Sequence, residues 1–392
     1  MTTIRSKVAG AFYGGAIGDG IGAPLEGLLR KDILTLAGPV QGFLPPTAQV
    51  DGVWIFCPDR KDGRGWGKGE GHFTDDTLMT EALIKAYIQQ RGHMEAWDYR
   101  NIFAPILARH KVWVPERQCD MAPLERLAGA EQWHIRGLLS SNRDPRFFGA
   151  ALHNLTCGAS MCAWPIGAVN AGDPRGAYAE AVAFFSPQTF SFGLEQGAVM
   201  AAACAEACAP DATPQSIAAA ALALAKDASR EMIAAALAAL TPGADRDRDL
   251  PAVHAAVQPW HHKRTHISDT AEVAQALPRA GDLSNSALES RLHTCEEVAV
   301  ALAMLVRANG DFMETVCAAA EYGEDADSIA GMAGALAGAL GGVEAIPQVH
   351  RDYCDRQNRR NLQATAETFA EAVQAIATTD QQRMARRARS VG

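Results

Sequence analysis

The chain has 392 residues, of which 48% are apolar and 21% charged, with a formal net charge of −9 and a pI near 5.7. That composition is typical of a soluble protein with a substantial core, and the acidic balance excludes a general nucleic-acid surface, which needs a basic stripe. Aromatic residues make up only 7% while glycine alone contributes 35 residues, a combination suited to helices packed closely through small side chains.

Apolar positions spaced three and four apart, or long alanine-rich runs, predict helices over 4–21, 76–91, 120–140, 177–185, 193–208, 214–240, 295–308, 311–322, 328–341 and 359–377. No convincing set of alternating strands is present, so the expected fold class is all-α, a single large orthogonal bundle. No linker or long charge run divides the chain. One domain over 1–378 is therefore expected, followed by a basic C-terminal tail over 379–392.

Gln41 to Gly71 is rich in Gly and Pro, and a loop that long is commonly a lid or binding element. Its Trp54, Phe56 and Trp66 either cover a substrate base or anchor the loop to the body. A second polar break spans Thr241 to Asp249. The apolar stretch Ile329–Val343 is shorter than the roughly 20 residues that span a bilayer, and its Gly331, Gly334 and Gly338 are expected to let a central helix approach its neighbours. The N-terminus lacks the regions of a signal peptide. Nine scattered cysteines without a Cys-x-x-Cys pair argue against a disulfide framework or structural zinc, and reduced thiols fit a cytoplasmic protein.

Several familiar signatures fail on context. Gly18-x-Gly20-x-x-Ala23 matches a permissive dinucleotide fingerprint, but a helical period precedes it and Pro24 follows at once. Gly63 to Gly69 has the wrong spacing for a phosphate loop. Gly158-Ala159-Ser160-Met161-Cys162 misses the last glycine of a nucleophile elbow. His262 and His266 are four apart without the glutamate of a zinc-protease motif, and His261–Arg264, like Arg383–Arg389, reads as a solvated basic cluster. Asp325-x-Asp327 runs straight into apolar helix rather than a calcium loop.

Two acidic clusters remain, Thr74-Asp75-Asp76-Thr77 and Asp325-Ala326-Asp327-Ser328, each at the start of an apolar, helix-like run. Either could simply cap a helix, with carboxylates favouring the positive end of its dipole. Equally, oxygen-only clusters are what hard divalent cations prefer, and capping does not exclude ligation.

A third segment bears on that choice. In chain order GGAIGDGIGAPLEG (14–27), FTDDTLMTEAL (73–83) and GEDADSIAGMAGALAGALGG (323–342) resemble the ADP-ribosylglycohydrolase family, over about residues 5–365. The resemblance implies an all-α fold with two Mg²⁺ ions, or Mn²⁺, held by Thr74, Asp75, Asp76, Asp325, Asp327 and Ser328. It further implies cleavage of a glycosidic bond at C1 of ribose through an oxocarbenium-like transition state. Glu26 aligns with a family glutamate near the scissile bond, to act as acid or base or to hold substrate, and Asp75 and Asp327 complete the expected catalytic set. Asp19 is expected beside the substrate, as a buttress of the site. Cys157 to Gly167 looks like the family's substrate loop, so Gly158, Ala159, Ser160 and Met161 are expected substrate contacts.

That loop usually has Asn before its Gly and Arg after its Met; here both are cysteines, Cys157 and Cys162. A segment that often reads His-Pro-His-Pro is here Phe185 to Ser191, without histidine. Arg and His are natural partners of a diphosphate, so their loss weakens the case for an ADP-ribosyl-protein substrate while leaving the ribose end intact. The expected ligand is a ribosyl or ADP-ribosyl small molecule, or an ADP-ribosylated protein, with no nucleic acid and no membrane. The alternatives are a hydrolase of small ribosides or nucleosides, and a crystallin-like structural protein. A structural protein has no need of facing carboxylates whose repulsion must be offset by cations.

Overall fold

A computed structural model describes residues 2–50, 53–57, 67–127, 129–149, 156–262 and 295–391. Its longer helices in chain order are α1 (Ile4–Gly22), α2 (Arg30–Ala37), α3 (Asp75–Gln90), α4 (Gly129–Ser140), α5 (Trp164–Val169), α6 (Pro174–Phe185), α7 (Ser191–Ala207) and α8 (Pro214–Leu224). They continue with α9 (Asp227–Ala238), α10 (Arg246–His262), α11 (Cys295–Arg307), α12 (Phe312–Tyr322), α13 (Ala326–Gly341), α14 (Gln348–Asn358) and α15 (Leu362–Val391). Strand content among the described residues is two short hairpins, β1 (Thr47–Val50) with β2 (Val53–Phe56) and β3 (Val112–Val114) with β4 (Cys119–Met121). The fold is all-α, as expected.

Glycine spacing sets the centre of the bundle. Gly10, Gly14, Gly18 and Gly22 are four apart, which keeps them on one face of α1. A Cβ on each would stand 2.1, 2.1, 2.0 and 2.2 Å from the carbonyl oxygens of Gly338, Gly334, Ala330 and Ala326. Partner numbers fall as those of α1 rise, so α1 and α13 run antiparallel in backbone contact. Gly334 and Gly338 thus have the packing role expected of them. Around this pair the core is alanine-rich, with Phe12, Trp164 and Phe369 packed ring against ring at 5.9 Å centroid spacings. Buried Lys7 donates from Nζ to the carbonyls of Ala207, Ala339 and Leu340, satisfying the C-terminal ends of α7 and α13 with one cation.

Several boundaries differ from expectation. The helix expected over 120–140 begins only at Gly129, because Gln118 turns the chain at φ +54 into the β3–β4 hairpin and Pro123 opens a separate 3₁₀ turn. The run 214–240 is broken into α8 and α9 at Ala225 and Lys226, which are extended, with the Lys226 N–H held by Glu195 Oε1 at 2.8 Å. Within the long loop, β1 and β2 form a hairpin whose Trp54 packs on the core; Trp66, and His266 with its neighbours, lie outside the described residues. The segment set apart as a basic tail continues α15 without a break to Val391, although its residues beyond Asp380 are exposed. No helix among the described residues is long and apolar enough to cross a membrane.

Candidate functional site

The antiparallel register of α1 and α13 brings the C-terminal end of the first motif beside the N-terminal end of the last. The Cα of Asp327 would lie 2.6 Å from a Cβ on Gly22. Past α1 the chain is pinned again: the N–H of Gly27 donates to the carbonyl of Glu324 at 2.6 Å, and that of Glu324 to the carbonyl of Leu28 at 2.8 Å. Gly323 and Glu324 both take positive φ, 84° and 60°, which turns the chain into α13 so that Asp325 precedes the helix as its N-cap residue. One carboxylate oxygen each from Glu26, Asp325 and Asp327 lies within 4.8 Å of the others.

The middle motif is docked onto this pair by Asp19. Its carboxylate accepts hydrogen bonds from the N–H of Thr74 (2.9 and 3.0 Å), the N–H of Thr77 (3.2 Å) and the hydroxyl of Thr77 (2.6 Å). It thereby satisfies orphan donors at the start of α3, and Gly20 admits the backbone of Gly71 on the same side of α1. Burial, and then the neighbouring Asp327, push the Asp19 carboxyl up from its ordinary value.

The result is a cavity of about 280 Å³ whose wall includes Glu26, Asp75, Asp76, Asp325, Asp327 and Ser328. Asp76 is only 7% exposed, and its Oδ1 has no hydrogen-bond partner. Burial, Asp19 and Asp327 raise the Asp76 carboxyl well above the usual range. Carboxylates crowded out of water in this way need positive charge nearby. Two side chains supply some of it. Lys68 pairs with Glu26 and lies 3.5 Å from Asp327; burial disfavours its ammonium, but Asp327 and Glu116 outweigh that and hold its pKa above the ordinary lysine value. Arg126 pairs with buried Glu116 and reaches Asp75 Oδ1 at 3.0 Å.

Of the expected ligands, five therefore meet at one cavity. Thr74 sits behind them, fully buried: its hydroxyl is the N-cap of α3, 3.4 Å from the Asp76 N–H, and donates to Asp76 Oδ2 at 3.3 Å. Capping and proximity to the site coexist there. Asp19, expected beside the substrate, is fully buried and does not line the cavity. In the substrate loop Gly158 and Met161 line the wall, but Ala159 packs against Gly197 and Ser160 turns back to the carbonyl of Cys157 at 3.0 Å. Ala159 and Ser160 are buried and do not line the cavity. A Cβ on Gly158 would stand 2.7 Å from Glu131 Oε1, so the Glu131 side chain would have to shift to admit one.

Sequence reasoning missed Lys68, Arg126, Glu131, Thr156 and Glu297, all of which line the cavity. Lys68 had a signal, standing six residues before Thr74 in a glycine-rich approach. Thr156 had one too, standing directly before the Cys157–Gly167 loop, while Arg126, Glu131 and Glu297 come from segments outside the motifs. Trp54 and Phe56 are absent from the cavity wall.

Comparison with known proteins matches the ADP-ribosylglycohydrolase family over residues 1–381. The chain is 24% identical over 374 residues to the protein YegU of Escherichia coli (strain K12), covering 93% of this chain and 96% of that one. Among solved structures it is similar to a chain of an ADP-ribosylglycohydrolase-related protein complex, at 18% identity, 94% and 99% coverage and a TM-score of 0.47.

Proposed function

The chain belongs to the ADP-ribosylglycohydrolase family, and from that premise we propose that it is a divalent-cation-dependent hydrolase that cleaves the bond at C1 of a ribosyl or ADP-ribosyl substrate. The observation that carries this reading is the meeting of carboxylates from three remote segments at one cavity, with a buried oxygen of Asp76 left unpartnered. That all-oxygen donor set fits Mg²⁺ first and Mn²⁺ second. Asp75, Asp76, Asp325, Asp327 and Ser328 would hold the ions, with Thr74 behind them. When bound, such ions supply positive charge to sugar hydroxyls and to a water whose pKa they lower.

The chain's own residues do the rest. Glu26 is the more exposed of the two carboxylates paired with Lys68, at 37% against 5% for Asp327, which favours it as the carboxyl that moves a proton at the scissile atom. Lys68 sets a cation between the Glu26 and Asp327 carboxylates and so offsets their mutual repulsion. Asp19 fixes the start of α3, and with it the direction of Asp75 and Asp76. Gly158 and Met161 bound the sugar side of the cavity.

Hydrolysis of small ribosides is favoured as a second reading by one observation. At the two loop positions where the family pattern has Asn and Arg this chain has thiols, and Cys162 is fully buried, so no guanidinium is offered there to a diphosphate.

Product analysis after incubation with Mg²⁺ and ADP-ribosylated arginine, ADP-ribosylated serine and free ribosides tests the proposal. Release of ribose or ADP-ribose is expected, and 2′-deoxy or 3′-deoxy analogues should react roughly 10⁴-fold more slowly, because a site built for hydroxyls is left with unpaired groups. Equal rates on intact and deoxy substrates would remove the sugar-holding role from the acidic clusters.

A further inference from the structure

Cys157 is half-buried at the cavity wall, and its Sγ lies 3.3 Å from Asp325 Oδ2 and 3.3 Å from Ser328 Oγ. Two of the oxygen donors assigned above thus share a thiol neighbour at contact distance. The second thiol of the same loop behaves differently: Cys162 Sγ turns away to the carbonyl of Gly158 at 3.3 Å and does not line the cavity. On the same wall Asp76 is 7% exposed, with Oδ1 unpartnered, so this wall presents a buried carboxyl oxygen with a coordination position to fill. A wall that mixes sulfur with carboxylate oxygen differs in kind from an oxygen-only one, because thiolate donors favour borderline cations over hard ones.

We propose that Cys157 is a sulfur donor of this centre, so that the site takes a borderline divalent cation of the Zn²⁺ or Co²⁺ class through Cys157, Asp325 and Ser328, in addition to Mg²⁺. This rests on the reading of the cavity as a cation centre and goes beyond it in naming the donor and the class of ion. On binding, a sulfur–metal bond replaces the S–H bond and the thiol proton passes to buffer, with no change of oxidation state. Asp325 Oδ2 and Ser328 Oγ both already approach Cys157 Sγ at 3.3 Å.

The test is titration of the chelator-stripped, full-length protein with Co²⁺, followed by absorbance and by calorimetry. A near-ultraviolet sulfur-to-cobalt charge-transfer band is expected in the wild type and in Cys162→Ser, and is expected to be lost in Cys157→Ser. Zn²⁺ affinity should fall by roughly tenfold or more in Cys157→Ser, as when a site loses a ligand-shell partner, with a smaller change for Mg²⁺. If the serine variant folds poorly, Cys157→Ala repeats the comparison, and the wild-type spectrum alone already decides the negative case. Co²⁺ binding by calorimetry without the band, or a band that survives removal of Cys157, would overturn the sulfur donor while leaving the cation centre standing. No heat and no thermal shift with Co²⁺, Zn²⁺, Mg²⁺ or Mn²⁺ would overturn both.

Discussion

Gly14 and Gly334 lie backbone to backbone: a Cβ on either would stand 2.1 Å from the carbonyl oxygen of the other. No flexible atom can yield there, and the contact is one step of the stripe that sets Asp327 beside Gly22. Gly14→Ala should therefore destabilise the protein by at least about 1–3 kcal/mol, the usual cost of overpacking. Gly15, one residue on, meets only ordinary contacts at 3.7 Å or more, so Gly15→Ala should be neutral or stabilising by up to about 1 kcal/mol through helix propensity. Denaturant melts of the two variants decide it. Equal effects would mean that the close approach does not position the helices.

On the function proposed above, Lys68 and a divalent cation call on the same carboxylates. Replacing Lys68 by Met should lower the melting temperature of chelator-treated protein, since Glu26 and Asp327 then face one another without the ammonium. Added Mg²⁺ should restore more stability to Lys68→Met than to the wild type, because a ligand that binds only the native state stabilises by mass action. Thermal melts of both proteins, with chelator and with saturating Mg²⁺, measure the difference. The same Mg²⁺ response in both would remove Lys68 from the site's charge balance.

Asp76→Asn keeps the shape of the side chain and removes its charge from a wall where Asp19, Asp75, Asp325 and Asp327 repel it. The variant should fold, melt no lower than wild type in chelator, and lose both turnover and the Mg²⁺-dependent rise in melting temperature. Asp327→Ala should lose the same two properties. Near wild-type activity at limiting Mg²⁺ in either variant would strike that residue from the ligand set.

His93 joins helix α6 to the far end of α15. Its Nδ1 lies 2.5 Å from Glu180 Oε2 and its Nε2 2.8 Å from Asp380 Oδ2. The Glu180 hydrogen bond first, and Asp380 in support, raise its pKa to about 9 against the effect of burial. A raised histidine pKa gives stability that is complete below the unfolded value near 6.5 and is lost as pH rises through about 9. Wild type should thus exceed His93→Gln in stability at pH 6, and the gap should shrink towards pH 9.5. A gap independent of pH would show that packing, not charge, holds α15 there.

Helical class, and the four-residue spacing of glycines in α1 and α13, could be read from the sequence because period and residue size are local properties. So could the acidic clusters and Glu26, since their identity is fixed by type and motif order. The break at Ala225 was not legible: alanine suits both halves, and what turns the chain is a hydrogen bond from Lys226 to Glu195, thirty-one residues away. The hairpin at Val112–Met121 was hidden for a related reason, being too short to display a strand period.

At the site the division is sharper. Sequence alone singled out Glu26, Asp75, Asp76, Asp325 and Asp327, which line the cavity, but not Glu131 and Glu297, and Asp19, Thr74, Ala159 and Ser160 show that membership of a motif does not say which way a side chain faces. That is decided by contacts across the bundle, where Asp19 spends its carboxylate on the amides of α3 and Ala159 meets Gly197. Lys68, Arg126 and the thiol of Cys157 enter the cavity only because the antiparallel packing of α1 on α13 concentrates negative charge in one place. Charge density is a property of distances in space, and only the folded chain has them.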